Sequence, residues 1–121
     1  MLAVLHVLGT IRFWYWTYWW FDNVTHLLGG FWVGGMVLWA RFLRGNTEYA
    51  DLDHERLFLN TAVMVFAVAI VWEITEYVGG AVFVSPLKQY VFDTATDLLS
   101  GVLGGVLATG YFLLNRYYYR N

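Results

Sequence analysis

The chain has 121 residues, of which 60% are hydrophobic and only 13% charged, with a net charge of −2 and no cysteine. A soluble domain carries roughly 25% charged residues and, at this size, needs a large polar surface, so a water-covered globule is excluded in favour of a chain coated by lipid. Disulfides and thiolate metal sites are excluded, and the lack of a basic run excludes a nucleic-acid partner.

The pattern predicts an all-α fold: one transmembrane domain over residues 1–121, with three spanning helices and a short N-terminal helix. Residues 1–21 form that first helix, interfacial or only partly spanning. Its apolar start is interrupted by His6, Gly9 and Arg12, and it ends in Phe13-Trp14-Tyr15-Trp16-Thr17-Tyr18-Trp19-Trp20-Phe21. Such aromatic runs collect at the membrane–water boundary, where ring and polar edge are both satisfied. No positive segment precedes this stretch and no small-residue cleavage site follows it, so a removable signal peptide is not expected.

The spans are predicted over residues 22–43, 57–78 and 92–115, each with the roughly 20 residues a membrane helix needs. The first has no charged residue between Asp22 and Arg41, the second is charged only at Glu73 and Glu76, and the third only at Asp93 and Asp97. The apolar runs are continuous, which argues against the alternation of a membrane barrel. Arg41, Arg44, Arg56, Arg116 and Arg120 fall on one side of such a bundle, with Lys88 and Arg12 on the other. The positive-inside rule then puts residues 44–56 and the C-terminus in the cytoplasm. Gly30 and Gly34, and again Gly101 and Gly105, have the spacing that lets helix backbones approach in lipid. They can pack within one chain, or between chains as a homo-oligomer.

The ionisable residues converge in depth. At about 1.5 Å per residue from the cytoplasmic ends, His26 stands roughly 25 Å up the first span, Glu73 and Glu76 roughly 24 and 28 Å up the second, and Asp97 roughly 27 Å up the third. Asp22 and Asp93 stand slightly higher. The pairs Asp22/His26 and Asp93/Asp97 are four apart and Glu73/Glu76 three apart, so each pair shares a helix face. Five carboxylates in a low dielectric require either shared protons, suiting a proton relay, or a bound cation. Carboxylate and imidazole together suit Zn, Mn or Fe, and an all-oxygen subset suits Mg. The expected metal ligands are therefore Asp22, His26, Glu73, Glu76, Asp93 and Asp97. Plainer roles compete: Asp22 and Asp93 as helix caps, Asp97 against the helix dipole, Glu76 solvated at the interface, His26 as a satisfied core residue. Glu73, a full turn deeper in an apolar run, is hardest to explain so. Thr25, Thr75, Thr94, Thr96 and Asn23 can support the cluster or bond their own backbones, while His6 carries no signal and His54 lies among loop acids.

Three motifs in order, Phe21-Asp22-Asn23-Val24-Thr25-His26-Leu27-Leu28-Gly29-Gly30, Trp72-Glu73-Ile74-Thr75-Glu76-Tyr77 and Phe92-Asp93-Thr94-Ala95-Thr96-Asp97 before a glycine-rich helix, resemble the YjdF-like bacterial inner-membrane proteins over about residues 20–112. More distantly they are similar to VanZ-like proteins, with an Asp/His helix, a Glu-x-x-Gln helix and an Asp-x-x-x-Asn helix. The first resemblance implies a membrane protein of unestablished role, the second a link to envelope glycopeptide resistance. Glu76 and Asp97 stand where VanZ-like patterns carry neutral amides, which makes this chain more acidic there.

Three functional classes follow: a cation-binding membrane protein or metal-dependent enzyme acting on a lipid or envelope substrate, a proton or cation carrier, and a structural lipid-binding protein. No serine stands beside the acids, since Ser85 is in a loop and Ser100 lies deeper than Asp97, which disfavours covalent catalysis. The nearly apolar lower halves of the spans disfavour a through-going path.

Overall fold

The computed structural model of the chain describes residues 2–43, 53–79 and 87–120. The expectations resting on Arg44 and Ser85, and on the side chains of Lys88, Arg116 and Arg120, lie outside the described residues. Those described form five helices and no strand: α1 (Leu2–Ile11), α2 (Trp14–Thr17), α3 (Phe21–Leu43), α4 (His54–Gly79) and α5 (Leu87–Arg120).

The N-terminal region is thus two helices where one was expected. Phe13 takes a left-handed conformation, φ 57° and ψ 27°, and the chain turns there. A non-glycine residue pays for that geometry, and ring packing compensates: Phe13 on Trp16, Trp14 on Phe21, and Tyr15 on Phe21 at 4.9 Å. Gly9 makes the fold-back possible, because a methyl group there would come within 2.5 Å of the Phe21 ring. Helix α1 therefore lies against the start of α3.

Helix α4 starts before the expected position 57, because Asp53 caps it: Asp53 Oδ1 accepts the backbone N–H of Arg56 at 3.2 Å, and its carbonyl accepts that of Leu57. Helices α4 and α5 each contain a stretch long and apolar enough to cross a membrane, His54–Gly79 and Tyr90–Asn115. Helix α3 has the length, 23 residues, but its glycines, tryptophans and His26 dilute its apolar character. Leu59, Val63, Val71, Leu99, Leu103 and Leu114 are each half-exposed or more, an amount of bare apolar surface that lipid accommodates better than water.

The core is a ladder with a four-residue step. Buried positions on α3 are Phe21, His26, Gly30, Gly34, Leu38 and Phe42; on α4 they are Leu57, Thr61, Val65 and Glu73; on α5 they include Asp97, Gly101, Gly105 and Thr109. Gly30 meets the backbone of Gly101, and Gly34 that of Gly105, so α3 and α5 run parallel. Gly101 faces Ala69 and Gly105 faces Val65, so α4 runs antiparallel to both. Successive layers read His26/Glu73/Asp97, Gly30/Ala69/Gly101, Gly34/Val65/Gly105, Leu38/Thr61/Thr109 and Phe42/Leu57/Leu113. The last is the apolar floor, where Phe42 stacks on Phe112 at 4.7 Å. Both glycine pairs are thus spent inside the chain, where they bring α3 and α5 into backbone contact.

The fourth layer holds an asymmetry. Thr109 Oγ1 donates to the carbonyl of Gly105 at 3.0 Å, whereas Thr61 Oγ1 is buried with no hydrogen-bond partner among the described residues. A buried unpaired hydroxyl costs about 1–3 kcal/mol. Thr61→Val should therefore raise the unfolding midpoint of detergent-solubilised protein and Thr109→Val lower it. A drop with Thr61→Val would mean that the hydroxyl has a partner after all.

Candidate metal centre

The top layer brings together what the depth estimate predicts. Helix α3 offers Asp22 and His26 from successive turns, α4 offers Glu73 and Glu76, and α5 offers Asp97. His26 is at the centre: its Nε2 lies 3.5 Å from Asp22 Oδ1 and 3.8 Å from Glu73 Oε1. Two sets of potential ligand atoms share it, Asp22/His26/Asp97 and His26/Glu73/Glu76, and within each set all the atoms lie inside 4.8 Å of one another. Two ligands on one zinc stand about 3.4 Å apart, so small side-chain rotations would close either set.

Burial separates the six expected residues. Asp97 is 2% exposed, Glu73 8% and His26 9%. Glu73 Oε1 and Asp97 Oδ1 are buried with no hydrogen-bond partner among the described residues. Asp22 and Glu76 are partly buried and each has a local bond: Thr25 Oγ1 donates to the Asp22 carbonyl at 2.7 Å and reaches Oδ1 at 3.3 Å, and Trp72 Nε1 donates to Glu76 Oε1 at 2.8 Å. Asp93 is exposed and joins neither set. It lies at the level where α3 is only beginning. Thr75 and Thr96 bond back to the carbonyls of Val71 and Asp93 and leave the cluster alone.

Two residues at the site carried no usable signal in the sequence. His6 Nδ1 and Tyr15 Oη are 2.7 Å apart, and the His6 ring stands edge-on to Trp72. Burial pushes the Tyr15 hydroxyl above the ordinary tyrosine range, so it remains a neutral hydrogen-bonding group. Both depend on α1 folding back, which no periodicity encodes. The Trp72–Glu76 bond was legible, being a four-residue helical pair.

A cavity of about 460 Å³ opens beside the cluster between α1, α3 and α4. Asp22, His26 and Glu76 stand at its polar end with His6, Tyr15 and Thr25, while Leu2, Val33, Val65 and Val68 line the remainder. The second layer makes the space, because Gly29, Gly30, Ala69 and Gly101 project almost nothing into it.

The profile of a family described as predicted membrane proteins, DUF2238, matches residues 1–117. The YjdF-like resemblance is consistent with it, and it adds nothing to the VanZ-like one. No curated protein and no solved structure matches the chain.

Proposed function

Because the chain belongs to the DUF2238 family of predicted membrane proteins, we propose that it is a three-span protein that binds a divalent cation at His26. Helix α3 is the third span, and the cluster lies near the non-cytoplasmic face. The observation that carries this reading is the pair of unbonded, buried carboxylate oxygens, Glu73 Oε1 and Asp97 Oδ1, placed around one imidazole from three helices. A native core pairs its buried polar atoms, and a buried carboxylate oxygen without a hydrogen bond is costly. A divalent cation beside His26 satisfies one of these oxygens in whichever set it fills and offsets the repulsion among the acids. Imidazole among carboxylates favours Zn, Mn or Fe over Mg.

Below the cluster, the buried stripes pass through glycine, alanine, valine, leucine and phenylalanine, with two threonines and no ionisable side chain among the described residues. That favours a bound cation over one that crosses. A cation held beside a cavity can also activate water or polarise a lipid oxygen, and this is the enzymatic form of the same reading.

Metal analysis of protein purified in detergent tests it. About one equivalent of a transition metal is expected in the wild type, and Glu73→Gln should lower the affinity by at least about 10–100-fold, the loss that even supporting residues of metal sites bring. A metal-free wild type that takes up no added Zn or Mn would refute the reading.

A further inference from the structure

We propose that the cavity between α1, α3 and α4 takes the chain of a single-chain amphiphile with an uncharged hydroxyl head, the head oxygen facing the cation at His26. This rests on the cation reading and names the ligand of that site.

The shape of the cavity supports the chain. Its volume, about 460 Å³, is in the range of small-ligand sites, roughly 300–1,000 Å³. It is polar only at the end next to His26. Val65 is eight residues from Glu73 along α4, so the apolar part runs roughly 12 Å down from the acids. Trp32, Val68 and Trp72 line it and are also 61%, 44% and 46% exposed. Its mouth is therefore at the level of the spans, where chains of the bilayer are at hand and water is not. A polar solute placed there would have to leave its hydrogen bonds behind.

Charge selects the head. Among the described residues, no lysine or arginine lines the cavity. Of the acids, only Asp22 and Glu76 are among the described residues that line the cavity, and one divalent cation balances their charge, so a phosphate head finds no net counter-charge to offset its lost hydration. An ammonium head finds none either, because the same cation already balances those two carboxylates. An uncharged hydroxyl needs no counter-charge. Its oxygen is a neutral ligand for the cation on the cavity side, and Tyr15, Thr25 and His6 can exchange hydrogen bonds with further hydroxyls.

Cation-loaded protein in detergent would be titrated with monolauroylglycerol, dodecyl phosphate and dodecylamine, which share one chain length, with bound lipid read by native mass spectrometry. The glycerol-headed lipid should bind about ten-fold or more tightly than either charged one. Gly29→Leu should weaken it by a similar factor while metal content stays at the wild-type level. A Cβ at Gly29 meets only Leu2, at 3.8 Å, so the longer side chain has room to grow into the cavity. Val68→Trp is a second filling variant on an exposed position, and Gly35→Leu, with nothing within 4 Å, is the control. Equal binding of the charged lipids, or unchanged binding in both filling variants, would overturn the inference. A loaded protein that binds none of the three sinks this inference alone. A protein that holds no cation sinks the proposed function as well, and the metal assay reveals that before lipid is added.

Discussion

Gly30→Ala is expected to be the most disruptive single-methyl change in this protein. A Cβ at Gly30 would overlap the carbonyl oxygen of Gly101 and come within 2.6 Å of its carbonyl carbon and 2.8 Å of its Cα. All three atoms are backbone, so no rotamer change relieves the clash and α3 must move away from α5. Overpacking of a fitted core costs about 1–3 kcal/mol, occasionally more, and an immovable obstacle puts this case at the upper end. That is a large share of the total stability of a domain, about 5–15 kcal/mol. Gly104→Ala should behave alike, since its Cβ would overlap the Leu27 carbonyl and approach the Phe31 nitrogen to 2.6 Å. Gly35→Ala is the matched control, with nothing within 4 Å. Unfolding midpoints of the three variants in one detergent decide the matter. Equal stability of Gly30→Ala and Gly35→Ala would show that α3 and α5 are not in backbone contact. The first layer rests on this one, so Gly30→Ala should also weaken cation binding by moving His26 away from Asp97.

Asp97→Asn should change the sign of its effect with the solution. In excess chelator the variant should be more stable than the wild type. Asp97 then faces Asp22 and Glu73 against one imidazole, and two like charges at about the 4.8 Å that bounds Asp22 and Asp97 repel by about 3.5 kcal/mol at an effective dielectric near 20. With cation at about one thousand times its dissociation constant, the wild type gains about 4.1 kcal/mol. The variant, having lost a ligand, gains little. The order of the two midpoints should therefore reverse. An unchanged order would mean that Asp97 takes no part in holding a cation. Asp93→Asn, changed at the same spacing on the same helix but exposed, should keep the full cation-dependent rise.

That contrast marks how far the site was legible. Depth along a helix is fixed by residue number and a constant rise, so His26, Glu73 and Asp97 could be placed at one level from the sequence. Rotation about the helix axis is not fixed in that way. The four-residue spacing puts Asp93 and Asp97 on one face, yet Asp97 is buried while Asp93, one turn nearer the level where α3 starts, is exposed. The GxxxG spacing fitted contacts within or between chains equally well, and only the facing of Gly30 with Gly101 and of Gly34 with Gly105 shows where these pairs are used.

By itself the sequence determined the lipid-facing composition, the helical class, the long apolar helices and the common level of the acids and His26. Each of these follows from local chemistry and a fixed helical rise. Only the tertiary structure decided that α1 folds back to bring His6 and Tyr15 to the site, which carboxylates are dry, and that a cavity opens beneath them. Those features arise where one helix meets another, and the contact depends on how each is rotated and on side chains too small to fill the gap.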